Sequence, residues 1–255
     1  MTLTELNLWF NSFLKIEDYP ADPSMNGIQV QNSAPDEKQI KKAAFAVDAC
    51  LETIEKAAEQ NADILFVHHG LFWGSAIPLT GSHYDRINAL LKNDIALFAC
   101  HIPLDANNPY GNNYGMAERL GLQETTGFGI WRGMSIGVAG VLPEPLTCRQ
   151  IAEKLLGGNA EDAKILPFGP ELIKSVAIVS GGAGDDVDQA IDAGYDCYIT
   201  GEIGHEQYHP AKEAGINVIA GGHYNTEVYG PSLVMQKLRK ETGIETVWVS
   251  APTGL

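Results

Sequence analysis

Positive charge is scarce in this chain of 255 residues. Lysine and arginine together number 17, against 32 aspartates and glutamates, which leaves a formal net charge of -15. A chain this acidic lacks the general basic surface through which many proteins bind phosphate backbones. Nucleic acid is therefore not expected as a partner.

Long apolar runs and paired cysteines are also missing. No apolar stretch approaches the roughly 20 residues that cross a bilayer, and residues 1–5 lack the basic start of a signal peptide. We therefore expect a cytoplasmic protein that does not bind membranes. A disulfide scaffold or a thiolate zinc site is not indicated either, because no Cys-x-x-Cys pair occurs among the four widely spaced cysteines, Cys50, Cys100, Cys148 and Cys197.

Short apolar runs alternate with helical patterns along the chain. Strand-like runs occupy residues 43–47, 64–67 and 95–98, and three more follow at 176–179, 197–199 and 216–219. Alternation on short connections predicts an α/β fold with mixed, mostly parallel sheets.

The order of these elements repeats, which predicts an internal duplication of two similar α/β halves. Aligning the two runs matches Asp63 with Asp196 and His101 with His223. We expect the first half to comprise residues 1–125 and 225–255, and the second half to comprise residues 126–224.

Histidines and carboxylates follow three of the predicted strands. Residues 99–105 (ACHIPLD) and 221–227 (GGHYNTE) each place a carboxylate four residues after a histidine, and a third strand ends in two adjacent histidines. The carboxyl ends of strands line the binding crevice of open α/β sheets. Imidazole with carboxylate suits zinc, manganese or iron(II). The ligand types predict a site for two divalent ions, formed by His68, His69, His101, Asp105, His223 and Glu227.

Each element alone has a structural interpretation as well. Adjacent residues on a strand point in opposite directions, so one of His68 and His69 could pack in the core. Asp105 could cap a turn near Asn107. The occurrence of three such elements favours the metal site over these alternatives.

Two adjacent divalent ions lower the pKa of a water they share, which favours hydrolysis by a metal-bridged hydroxide. Glu227 is long enough to bridge both ions. Glu202 is a candidate acid or base, although the start of a surface helix would use the same residue. The aromatic pair Phe72 and Trp73, directly after the first histidines, could line a pocket or belong to the core.

Several of these motifs, taken together, resemble those of the GTP cyclohydrolase I type 2 homologue family, also called Nif-three-like. The resemblance runs from the first helix to the C-terminus and rests on residues 26–29 (NGIQ), 67–73 (VHHGLFW), 101–105 (HIPLD), 200–202 (TGE) and 222–227 (GHYNTE). It implies two intertwined α/β halves with a dinuclear metal site between them, assembled as a ring-shaped hexamer. The ligands it implies are His68, His69, Asp105, His223 and a bridging Glu227, with His101 as an additional or supporting ligand. The chain is too short for the large middle domain that some members carry.

The family label also implies a reaction, hydrolytic opening of the imidazole ring of GTP. No triphosphate-binding motif is recognisable in the sequence. We therefore expect a metal-dependent hydrolase of a small molecule, with a nucleotide as the first candidate and with Glu227, His101 and Glu202 as the catalytic residues. A phosphoesterase using the same ions, and a metal-binding regulatory or interaction protein without activity, remain alternatives.

Overall fold

The computed structural model describes residues 1–255. The chain forms two compact units, the first made of residues 1–104 and 230–251, the second of residues 105–229 and 252–255. The chain thus passes from one unit to the other at residues 104 and 229, whereas the sequence led us to expect these boundaries at residues 125 and 224. None of the helices combines the length and the apolar character needed to span a membrane.

Eleven strands and ten α-helices follow one another along the chain. The strands are β1 (Gly27–Val30), β2 (Lys42–Asp48), β3 (Ile64–His69), β4 (Ala96–Ala99), β5 (Gln123–Trp131), β6 (Met134–Leu146), β7 (Lys164–Pro167), β8 (Ile173–Val179), β9 (Cys197–Thr200), β10 (Asn217–Ala220) and β11 (Glu245–Trp248). The helices are α1 (Leu3–Leu14), α2 (Leu51–Glu59), α3 (Gly81–Lys92), α4 (Ile102–Asp105), α5 (Asn112–Leu120), α6 (Cys148–Leu156), α7 (Val187–Asp192), α8 (Tyr208–Ala214), α9 (His223–Glu227) and α10 (Tyr229–Thr242).

The first unit is built on a five-stranded sheet in the order β1-β4-β3-β2-β11. Its strands are parallel except β1, which pairs with β4 in the antiparallel sense. A parallel sheet is covered on both faces, and its central strands are continuous apolar runs for that reason. On one face Phe10 of α1 packs against Phe66 and Phe98, with ring centroids 5.1 and 4.6 Å away.

The second unit is built on a six-stranded sheet in the order β5-β6-β8-β9-β10-β7. Strands β8, β9 and β10 are parallel, whereas β5, β6 and β7 join in the antiparallel sense. Helices α5 and α6 contribute to a core that includes Met116, Leu120, Ile151 and Leu155. The predicted α/β class with two mixed, mostly parallel sheets is confirmed.

The two sheets share a common plan. Each contains three parallel strands in consecutive order, β2-β3-β4 in one and β8-β9-β10 in the other. Asp63 and Asp196, which the sequence alignment matches, also make the same kind of hydrogen bond. Oδ2 of Asp63 accepts hydrogen bonds from two backbone N–H groups at 2.8 and 3.2 Å, and Oδ2 of Asp196 does so at 2.9 and 3.0 Å. These shared features support the predicted duplication.

Candidate metal centre

The first two candidate ligands lie at the end of β3. His68 is fully buried and His69 is half-buried. Nδ1 of His68 lies 2.9 Å from the carbonyl oxygen of Cys100, and Nδ1 of His69 lies 2.8 Å from Oδ1 of Asp48. A carbonyl or an ionised carboxylate can only accept a hydrogen bond. Both Nδ1 atoms therefore donate, which leaves the lone pair of each ring on Nε2.

The third candidate ligand of the first unit, His101, follows β4. Its Nδ1 lies 2.9 Å from Oδ1 of Asp22, whose side chain is only 1 % exposed. Burial raises the pKa of Asp22, but the hydrogen bonds from His101, Asn26 and Ser24 outweigh it and hold the pKa below its usual value. Asp22 is consequently an ionised acceptor. Asn26 adds a second restraint, because its Oδ1 accepts the backbone N–H of His101 at 2.7 Å.

These three side chains form the three-histidine group, His68, His69 and His101. One ring nitrogen from each lies within 4.8 Å of the others. Metal-bound histidines characteristically donate their second ring N–H to a carboxylate or a backbone carbonyl. All three histidines follow this rule. The group is therefore able to hold a divalent metal ion.

Two more candidate ligands lie on the short helix α9 of the second unit. Nε2 of His223 is 3.2 Å from Oε1 of Glu227, and Nδ1 of His223 is 2.5 Å from Oε1 of Glu202. Burial lowers the pKa of His223, but the two carboxylates outweigh it and raise the pKa to about 9. Glu227 is only 3 % exposed. His223 thus has the same arrangement as His69 and His101, with a carboxylate at Nδ1.

Asp105 is the third candidate ligand of the second unit. Its Oδ1 accepts hydrogen bonds from Nδ2 of Asn112 and Oγ of Ser180, both at 2.8 Å. A carboxylate oxygen of Asp105 lies within 4.8 Å of one of Glu227. We call Asp105, His223 and Glu227 the Glu227 group. Asp105 and His223 each lie close to Glu227, and imidazole and carboxylate are again ligand types that suit zinc, iron(II) or manganese.

A family model places the chain among known proteins. The Duf34/NIF3 (NGG1p interacting factor 3) model matches residues 1–253. The chain belongs to the Duf34/NIF3 family. Among its relatives, the GTP cyclohydrolase 1 type 2 homologs of Treponema pallidum and Archaeoglobus fulgidus are 43% and 42% identical to it, each alignment covering 100% of both chains.

Solved structures agree with this assignment. The crystal structure of TTHA1606 from Thermus thermophilus is 36% identical to this Duf34/NIF3 chain, with a TM-score of 0.90 and 100% coverage of both chains. A structure of the protein ybgI, of unknown function, is 30% identical with a TM-score of 0.89, also over 100% of both chains. Both similarities extend over the whole fold rather than over one half.

Every ligand predicted from the sequence of this Duf34/NIF3 chain falls into one of the two groups, three in each unit. Glu202, the candidate acid or base, places its Oε1 2.5 Å from Nδ1 of His223. Sequence reasoning missed the residues that hydrogen-bond to the candidate histidines, chiefly Asp22 and Asp48. Asp48 carried a signal, because it ends the parallel strand β2 and pairs in register with His69. Asp22 lies in a polar loop far from His101 in sequence and carried none.

Proposed function

We propose that this Duf34/NIF3 protein is a metal-dependent hydrolase in which the three-histidine group and the Glu227 group together bind two divalent ions, zinc, iron or manganese. The observation that carries the proposal is the same at all four histidines. Each has a carboxylate or a carbonyl oxygen at Nδ1, which fixes the ring and makes Nε2 the atom that would bind a metal, in His223 by replacing the proton that Nε2 shares with Glu227. The order of residues along the chain supports joint action of the two groups, because Asp105 of the Glu227 group follows His101 of the three-histidine group by only four residues.

The protein side chains divide into ligands and positioning residues. When bound, divalent ions would supply Lewis acidity and an activated water. Among the ligands, we assign the bridging role to Glu227, whose carboxylate lies near both Asp105 and His223. Asp22, Asp48 and Glu202 hold histidine rings through Nδ1, so we assign Glu202 a positioning role beside its candidacy as an acid or base.

A small molecule is the proposed substrate, and GTP is the first nucleotide to test because the relatives carry the name GTP cyclohydrolase 1 type 2 homolog. A chain with a net charge of -15 must hold any phosphate groups with the few lysines and arginines that lie locally. From the family resemblance we also propose a homohexameric ring in the cytoplasm.

The test is metal analysis of the purified protein, followed by incubation of the metal-loaded protein with GTP. Ring-opened product and free phosphate are measured separately. We expect two ions per chain and ring opening that His69→Ala abolishes and that Glu227→Gln strongly reduces, with circular dichroism unchanged. Glu55→Gln, an exposed carboxylate on α2, is the matched control for the second variant.

Other outcomes separate the alternatives. Phosphate release without ring opening would assign a phosphoesterase. Two bound ions without turnover of any nucleotide would favour a regulatory or metal-handling role. Failure to bind metal under every loading condition would contradict the proposal itself.

A further inference from the structure

Two aromatic residues follow the first pair of candidate histidines, and the fold gives them different surroundings. Phe72 packs against the hydrophobic core of the first unit, and its ring centroid lies 5.2 Å from that of His83. Trp73 is half-buried, and its ring contacts are with two candidate metal ligands. The centroid distances are 4.9 Å to His101 and 6.1 Å to His69. Phe72 is therefore a core residue, whereas Trp73 lies at the three-histidine group.

The indole of Trp73 is held in one position by its own turn. Its Nε1 donates a hydrogen bond to the carbonyl oxygen of Gly70 at 3.1 Å, which satisfies the polar end of the ring. The next residue, Gly74, has a φ of +75°, and a Cβ there would lie 3.2 Å from the carbonyl oxygen of Pro23. The turn thus packs closely against the loop before β1 and presents the ring beside the histidines.

The backbone of this turn is also held by the side chain of Gln29 on β1. Oε1 of Gln29 accepts hydrogen bonds from the N–H groups of Leu71 at 2.7 Å and Phe72 at 3.3 Å. Its Nε2 donates to the carbonyl oxygens of Met25 at 2.9 Å and Phe72 at 3.3 Å. A carboxamide both donates and accepts, whereas an ionised carboxylate only accepts. Gln29 therefore ties the turn before the indole to the loop that contains Met25.

A half-buried tryptophan beside candidate metal ligands is suited to a flat aromatic ring. Stacking between a base and an aromatic side chain uses the π-faces of both rings and needs no charged group. This matters in a chain with a net charge of -15, which offers little general attraction for phosphate groups. A nucleotide-like molecule would then be held more by its ring than by its phosphates.

We propose that the substrate carries a planar heteroaromatic ring of the nucleobase class, that this ring stacks on Trp73, and that Gln29 positions the tryptophan. The inference rests on the proposed function, because the stacked ring belongs to the molecule that is hydrolysed. Stacking on Trp73 brings that ring next to the three-histidine group. Binding is measured without turnover, so the two proposals can fail separately.

The experiment titrates the full-length protein with guanosine, adenosine and ribose 5-phosphate in a calorimeter, with and without Zn²⁺. The nucleosides carry the ring without a phosphate, and ribose 5-phosphate carries the phosphate without the ring. We expect both nucleosides to bind more tightly than ribose 5-phosphate. Trp73→Leu should weaken nucleoside binding by about 10- to 100-fold, in the range lost when a stacking side chain is removed. Trp73→Phe retains a ring and should lose less. Binding of Zn²⁺ and of ribose 5-phosphate should not change.

Two controls and a positioning variant accompany these. Trp248→Leu changes another half-buried tryptophan of the first unit, on β11, and should bind nucleosides as the wild type does. Gln29→Glu keeps the acceptor but sets a carboxylate oxygen against the carbonyl oxygens of Met25 and Phe72. It should weaken nucleoside binding and leave that of ribose 5-phosphate unchanged, which a general loss of stability would not do. Gln31→Glu makes the same change at an exposed glutamine and should have no effect.

Equal nucleoside affinity in the wild type and Trp73→Leu would overturn the proposal, as would failure of the Zn²⁺-loaded wild type to bind either nucleoside. Should Trp73→Leu fail to fold, Trp73→Phe decides, because guanosine must then quench the tryptophan fluorescence of the wild type more than that of this variant. Ring opening of GTP is scored separately. Turnover that Trp73→Leu leaves unchanged would support the hydrolase and overturn the stacking, whereas nucleoside binding through Trp73 without turnover would support the ring-binding site and contradict the hydrolase.

Discussion

The backbone of Gly181 approaches the carboxylate of Glu227 so closely that no side chain fits between them. A Cβ at Gly181 would lie 2.1 Å from Oε1 of Glu227 and 3.2 Å from Nε2 of His223. Gly181 also has a φ of +67°, in the left-handed region that glycine adopts readily. The turn after β8 therefore fixes where the Glu227 carboxylate can lie.

Gly181→Ala should weaken metal binding. The new methyl group must displace the buried Glu227 carboxylate, and we expect an affinity loss of about 10- to 100-fold, as for other changes to groups that orient ligands. Isothermal titration with Zn²⁺ measures it. Gly194→Ala is the matched control, because Gly194 has a φ of +73° but a Cβ there meets nothing within 4 Å. Equal affinity in the two variants would contradict this role of Gly181.

Asp48→Asn should also reduce metal affinity, again by about 10- to 100-fold. The oxygen of the uncharged amide is a weaker acceptor for the N–H of His69, and its nitrogen can instead donate to Nδ1, which would move the ring proton to Nε2 and block metal binding there. Metal competition with a chromophoric chelator provides the measurement. Asp85→Asn, an exposed residue of α3 in the same unit, should bind metal as the wild type does. An unchanged affinity in Asp48→Asn would show that metal binding does not depend on a carboxylate at Nδ1 of His69.

Trp73 should report metal binding through its fluorescence. Its ring lies 4.9 Å from that of His101 in an edge-on arrangement, and Nε1 donates to the carbonyl oxygen of Gly70 at 3.1 Å, which fixes the indole. Paramagnetic Co²⁺ bound at the three-histidine group should quench this tryptophan. Trp73→Phe should remove most of the quenching, whereas Trp248→Phe on β11 should retain it. Equal quenching in both variants would place the ion elsewhere.

Asp94 should contribute stability that depends on pH. Its carboxylate accepts from Nζ of Lys38 at 2.9 Å and from the backbone N–H of Ser33 at 2.6 Å. Slight burial raises the pKa of Asp94, but these two partners outweigh it and hold the pKa below its usual value. The stabilisation is therefore present above the ordinary carboxyl pKa of about 4 and disappears as the pH falls through the lower, folded value.

Urea denaturation of Asp94→Asn tests this dependence. Because the pair is partly exposed, the variant should lose at most about 1 kcal/mol of unfolding free energy at neutral pH. The difference from the wild type should vanish in acid, where Asp94 is protonated in the folded protein as well. A difference that stays constant with pH would mean that the aspartate acts through packing and not through its charge.

Much of the fold was predictable because burial patterns are local. The apolar runs at 64–67 and 216–219 became β3 and β10 within two residues, since a strand buried on both faces must be continuously apolar. The start of helix α10, Tyr229–Thr242, is less evident from the sequence. Its first turn contains Gly230 and Pro231, which are poor signals of a helix interior although proline is tolerated in a first turn.

By itself, the sequence determined which atoms can bind a metal and that they follow strand ends, because ligand chemistry and strand periodicity are carried by neighbouring residues. Only the tertiary structure decided what holds those ligands. Asp22 reaches His101, and Ser180 reaches Asp105, across long stretches of chain. Such pairs depend on how the elements pack and on which polar groups must find partners when they are buried, and no local pattern encodes that choice.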